Sequence, residues 1–315
     1  MTTRQTTSPE PASWLYGSGG QLRAAWRIGV FVCVYFLANG IIGAVASPVL
    51  SFVSNNTGRL IPQNEWVDLM SALATIAFVL RNVDNQPWSA IGFTKPAWRA
   101  SLLVQSAVLG GGAIGVTAAL LAVSGHLHFM PDTLSAFLSG DVAQSPSSAW
   151  VESTVRTTLL LAPAALYEEL IFRGYLWRVA EDGSSTRIAL VFTSVLFGLV
   201  HFQNPGADVL AIANVMLAGL ALGLLRMHSD SLPAAWIAHL TWNWVMAALL
   251  HVPVSGLPLT TPGYRAIMDG PDWLAGGDWG PEGGAVATLV LLAAVAFGLY
   301  PTKFFKSASN SLRSA

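Results

Sequence analysis

Long apolar runs with few charged residues constrain this sequence more than any other feature. Eight such runs lie at residues 28–50, 66–80, 101–127, 155–178, 187–202, 209–227, 232–252 and 284–300. Charged residues make up only 10% of the chain, whereas a soluble domain carries about 25%. The mean hydropathy is +0.53, which is too apolar for a disordered chain. The sequence therefore predicts an all-α, polytopic membrane bundle of about eight transmembrane helices.

The distribution of Lys and Arg predicts how these helices are oriented. Basic residues lie before run 1, between runs 2 and 3, between runs 4 and 5, at the end of run 6 and after run 8: Arg23, Arg27, Arg81, Lys95, Arg99, Arg178, Arg187, Arg226, Lys303, Lys306 and Arg313. The alternate loops 128–154 and 203–208 contain none, and 253–283 contains only Arg265. By the positive-inside rule, both termini are expected in the cytoplasm and the loop 253–283 on the outer side.

Charge and cysteine content exclude other classes of protein. The formal net charge of −1 offers no basic stripe for nucleic acid. The single cysteine, Cys33, excludes a disulfide framework and a cysteine-cluster metal site.

Charged residues inside the fourth run point to function, because a charge in the bilayer is costly. Arg173 follows Glu169 by four residues, so the two share a helix face and are expected to pair. A structural ion pair explains these two residues. It does not explain Glu168, which points about 100° away and lies roughly 15 Å below the cytoplasmic surface by helical rise.

Two further runs carry histidine and asparagine. His201 ends the fifth run, one turn after Phe197, whose ring is expected to pack against it. His239 and Asn243 are four residues apart in the seventh run and share a face. Taken alone, His201 has a structural interpretation, and His239 with Asn243 resembles an interhelical hydrogen-bonding pair.

Together these residues converge, since all of them lie in the inner half or the middle of the bilayer. A carboxylate activates water, an imidazole shuttles its proton, and a His–Asn pair stabilises an oxyanion. Glu168, His201, His239 and Asn243 are therefore a candidate hydrolytic site. Acid and imidazole side chains also bind Zn²⁺, so a metal on Glu168, His201 and His239 is left open. Asn243, a poor zinc ligand and a good amide donor, favours a site without metal or other cofactor.

Three motifs carry a family resemblance: EELIFR at 168–173, FGLVH at 197–201 and HLTWN at 239–243. In this order they resemble the CAAX-protease and bacteriocin-processing family of intramembrane proteases, which contains the endopeptidases that trim prenylated CAAX termini. The resemblance implies that Glu168 activates water with His201 as its partner. It implies that His239 and Asn243 form the oxyanion hole, and that Glu169 and Arg173 hold the site together.

The resemblance also implies a membrane protein or lipidated peptide as substrate, and we expect a multi-pass protein of the bacterial inner membrane. We divide the chain into a flexible cytoplasmic tail (1–24), three N-terminal helices (25–149), a catalytic core (150–252), an outer-side loop (253–283), and the last helix with a cytoplasmic tail (284–315). Two alternatives stay open: a non-catalytic immunity or scaffold protein with this fold, and a proton-coupled transporter. Missing internal repeats count against the transporter.

Overall fold

The computed structural model of the chain describes residues 14–17, 20–56, 62–131, 146–259 and 264–299. Most of the expected tail 1–24 and all of the tail after residue 299 lie outside these ranges. The main helices are α1 (Ala24–Asn56), α2 (Gln63–Val79), α3 (Ala100–Val123), α4 (Pro146–Glu169), α5 (Trp177–Gly183), α6 (Thr186–Val200), α7 (Val209–Ser229), α8 (Leu232–Trp244), the short α9 (Asp272–Ala275) and α10 (Ala285–Leu299).

Each of the eight apolar runs is helical over most of its length. Among the described residues, five helices are long and apolar enough to cross a membrane: Ala24–Asn56, Gln63–Asp84, Ala100–Val123, Thr186–Gln203 and Val209–Ser229. The chain is an integral, multi-pass, all-α membrane protein.

The outward faces of the helices are apolar, the reverse of a soluble bundle. On α1, Phe36 is 70% exposed, Val45 72% and Phe52 69%. Only 6% of the most apolar window of α1 is buried. Such a surface is stable against lipid and would aggregate in water.

Helix α8 lies inside the bundle and packs against both α3 and α4. The contact with α3 depends on Gly110, where an added Cβ would lie 1.9 Å from the carbonyl oxygen of Ala238. The contact between α6 and α7 is similar, because a Cβ on Gly219 would lie 3.0 Å from Ser194 Cα. Small residues let membrane helices approach closely, as is usual where lipid provides no hydrophobic driving force.

Two helices contain π turns beside the candidate site, which the sequence did not predict. Leu170–Leu176 is a π segment that joins α4 to α5 directly after Glu169. Val245–Leu250 is a π segment that continues α8 just after Asn243. π turns inside α-helices are frequent at functional sites, and here one overlaps the first motif and the other begins two residues after the third.

The prediction that the third helix extends to residue 127 is wrong. Helix α3 ends at Val123, and Gly125 adopts a left-handed conformation with φ 78°, which terminates a helix readily. The chain then forms β1 (Leu127–Pro131), which pairs antiparallel with β2 (Tyr264–Met268). The segment 253–283 is therefore not a simple loop, since it contains β2, α9 and two turns of 3₁₀ helix.

Candidate active site

The ion pair expected in the fourth run is present and fully buried. Arg173 Nη1 donates to Glu169 Oε1 at 3.1 Å, and neither side chain has exposed surface. Arg173 Nη2 donates to the carbonyl of Gly219 on α7 at 3.2 Å. The guanidinium also lies 4.1 Å from the ring centroid of Phe197 on α6. Arg173 thus joins the α4–α5 segment to two neighbouring helices.

His239 lies between the two adjacent carboxylates of α4. Its Nδ1 is 3.0 Å from Glu169 Oε1, and its Nε2 is 3.9 Å from Glu168 Oε2. A carboxylate bound to Arg173 is an acceptor, so the Nδ1 of His239 carries the hydrogen of this bond. The predicted partner of Glu168 was His201. Within the described part of the chain, the structure records no hydrogen bond or ion pair between those two residues and places His239 next to Glu168.

His201 is held by its own helix. Its Nδ1 donates to the carbonyl of Phe197 at 2.7 Å, because a carbonyl only accepts. The Nε2 of the neutral ring is therefore a proton acceptor. The expected packing on Phe197 is present, with ring centroids 4.9 Å apart. Phe197 also contacts His239 edge-on at 5.7 Å, so both imidazoles surround one buried phenyl ring.

A cavity of about 470 Å³ adjoins this cluster. Its wall is mostly apolar and comes largely from α3, α7 and α10. The polar residues on the wall are His201, Asn214, His239, Asn243, Ser255 and Glu282. Three of the four predicted catalytic residues therefore line one cavity. The fourth, Glu168, is not part of the wall and contacts His239 from outside it.

Sequence reasoning missed the polar end of the cavity. Glu282 Oε2 accepts from Trp242 Nε1 at 2.6 Å, and Glu282 Oε1 accepts from the backbone N and the hydroxyl of Ser255 at 2.7 and 2.8 Å. Asn214 Nδ2 donates to the backbone carbonyl of Glu282 at 2.9 Å. Glu282 is a single acid in a Gly-rich segment, and no spacing in the sequence marks it as part of a site. Its partner Trp242 lies inside the motif HLTWN and was the one sequence feature that pointed to this end of the cavity.

The described residues do not fit a metal site. Among them, no three His, Cys, Asp or Glu side chains are grouped so as to hold an ion, and Glu168, His201 and His239 form no such group. Moreover, the Nδ1 of His239 is already engaged by Glu169.

Comparison with known families identifies this region. Residues 150–245 match the family model named Rce1-like, whose description is "Type II CAAX prenyl endopeptidase Rce1-like". The matched segment contains Glu168, His201, His239 and Asn243. No curated protein matches the chain. The resemblance predicted from the three motifs is confirmed: residues 150–245 are similar to the Rce1-like family of CAAX proteases.

Proposed function

We propose that this protein is an intramembrane endopeptidase. It hydrolyses a peptide bond of a membrane-associated or lipidated, CAAX-type, protein or peptide by means of activated water. One observation carries the proposal. Glu168 Oε2 is buried without a hydrogen-bond partner among the described residues, and it lies 3.9 Å from His239 Nε2. That separation exceeds a direct hydrogen bond and suits one bridging water.

The chemistry follows from this water. Glu168 takes one proton while the water oxygen adds to the carbonyl carbon of the substrate. The resulting oxyanion is stabilised by the amide of Asn243, with His239 as a second donor when its Nε2 carries a proton. Collapse of the tetrahedral intermediate breaks the C–N bond, and the proton on Glu168 passes to the leaving amine. The amine product and the carboxylic acid product account for all atoms of water and substrate.

His201 is assigned to proton transfer at the cavity wall. Because its Nδ1 is held by Phe197, its Nε2 is placed to relay to the leaving amine the proton that Glu168 has taken from water. Glu169 and Arg173 are positioning residues. They share a hydrogen bond with each other, and Glu169 also orients the His239 ring.

The wall of the cavity supports a membrane-embedded substrate. Val108 and Val116 on α3 and Phe297 on α10 line the cavity and are also largely exposed. We infer that the cavity opens towards lipid between α3 and α10. An apolar segment or a lipid chain entering from the bilayer would meet apolar side chains before it met the polar cluster.

The decisive experiment compares membranes that contain the wild type or Glu168→Ala at matched abundance, with protein termini mapped by mass spectrometry. We expect at least one new terminus that requires Glu168. Identical termini together with a retained phenotype in Glu168→Ala would favour the scaffold alternative instead. For the transporter alternative, the expected result is a proton flux that depends on Glu168, measured in vesicles of purified protein.

A further inference from the structure

We infer that Glu282 selects substrates by charge: the polar end of the cavity favours a segment with a basic side chain over one with a neutral or acidic side chain. This inference rests on the proposed function for its meaning in catalysis, and it names a substrate class for the same site.

Glu282 is built into the cavity wall. It is only 8% exposed, and it lines the cavity together with both residues that donate to its carboxylate, Trp242 and Ser255. All three hydrogen bonds are accepted by carboxylate oxygens from neutral donors. This is the bonding pattern of an ionised carboxylate, whose two oxygens have roughly four acceptor sites. The wall therefore carries a negative charge with acceptor capacity left.

That charge has no basic counterpart on the wall. The described residues that line the cavity include no Lys or Arg, and the other titratable ones are His201 and His239. Glu282 also forms no ion pair among the described side chains. In a site of low dielectric constant, such a charge attracts a cation and repels an anion much more strongly than in water.

Glu282 lies close enough to the chemistry to influence substrate choice. Trp242, its indole partner, directly precedes Asn243, the proposed oxyanion donor, and both residues line the cavity. At this end of the cavity a Lys or Arg side chain of the substrate would pair with Glu282, whereas an acidic side chain would be repelled by it. Peptide bonds flanked by basic residues are therefore the favoured substrates.

The test measures binding separately from cleavage. Full-length Glu168→Gln protein in nanodiscs is titrated with fluorescent, palmitoylated short peptides that carry Lys, norleucine or Glu at one scanned position. We expect Lys to bind about tenfold tighter than norleucine in at least one position and Glu to bind weakest. Equal affinities, or no binding of any peptide, would overturn the inference.

Matched variants assign the preference to one residue. Adding Glu282→Gln should remove the charge preference, whereas adding Glu152→Gln should keep it, because Glu152 is half-exposed and pairs with Arg156 away from the cavity. A preference that survives in Glu282→Gln protein with a wild-type melting temperature contradicts the assignment. If Glu282→Gln fails to fold, the three peptides still decide the inference on Glu168→Gln alone.

Cleavage by the wild type, measured in parallel, separates the two proposals. Tighter binding of Lys peptides without cleavage of any peptide would support the role of Glu282 and contradict the proposed function. Cleavage of the peptides without any difference in binding between Lys, norleucine and Glu would support the proposed function and contradict the role of Glu282.

Discussion

Arg173 and His239 share one acceptor, because Glu169 Oε1 accepts from Arg173 Nη1 at 3.1 Å and lies 3.0 Å from His239 Nδ1. One carboxylate oxygen therefore links the α4–α5 segment to α8. The bond at Nδ1 leaves Nε2 of His239 directed at Glu168. A residue that the sequence presents as half of a structural ion pair also sets the orientation of an imidazole in the candidate site.

The proposed catalytic roles predict slow but folded variants. Glu168→Gln keeps the side-chain volume but cannot take a proton, so we expect turnover to fall by about 10²–10⁴-fold. Asn243→Ala should lose about 10²–10³-fold if the amide stabilises the oxyanion. Peptide cleavage is measured beside thermal unfolding in detergent. Early melting of Glu168→Gln would show that its main role is structural.

The buried ion pair predicts a different phenotype for Arg173→Ala. This change leaves Glu169 buried without its cation and removes the hydrogen bond to Gly219, so the free energy of unfolding should fall by roughly 3–5 kcal/mol. Arg156→Ala is the matched control, since its pair with Glu152 has the same spacing but is 45% and 44% exposed. Exposed pairs are worth about 1 kcal/mol or less. Equal losses in the two variants, measured by thermal unfolding, would contradict the prediction.

The grouping of side chains leads us to predict cleavage without a metal ion. EDTA and phenanthroline should leave activity unchanged, and purified protein should contain no stoichiometric zinc by elemental analysis. The reason is that the Nδ1 of His239 is bound by Glu169 and no three ligand-type side chains meet among the described residues. Zinc that is lost together with activity, and restores it when added back, would overturn this prediction.

The Lys and Arg distribution predicts the orientation in the membrane. In a Cys33→Ser background, a cysteine placed at Ser184, between α5 and α6, should react with an impermeant maleimide only from the cytoplasmic side. A cysteine at Thr261 should react only from the outer side. Labelling of both positions from the same side would show that the number of spans between them is wrong.

The contact between α3 and α8 predicts that one glycine is essential for stability. Gly110→Ala should lower the melting temperature markedly, because its Cβ would meet the backbone oxygen of Ala238 and force the two helices apart. Gly115→Ala, on the same helix, meets nothing within 4 Å. It should be neutral, or stabilising by roughly 0.5–1 kcal/mol through helix propensity. Equal melting temperatures of the two variants would contradict the close approach of α3 and α8 at Gly110.

The sequence was sufficient for features that depend on local spacing. The apolar runs predicted where helices form, the four-residue interval predicted the pair of Glu169 with Arg173, and the one-turn interval predicted the contact of Phe197 with His201. In each case a helix brings residues of fixed spacing together wherever it sits in the fold. The end of α3 was misplaced because apolar residues continue into β1, and hydrophobicity alone does not separate the end of a helix from the start of a strand.

Only the tertiary structure decided which distant groups meet. The contact between His239 and Glu169 spans 70 residues, and that between Trp242 and Glu282 spans 40. No periodic pattern relates such positions, and a run of bilayer-length helices packs in many ways that satisfy the same hydropathy. The close approach of α3 and α8 at Gly110 and the two π turns set the final rotations of the helices. The rotation of α8 directs His239 at Glu168 and Trp242 at Glu282.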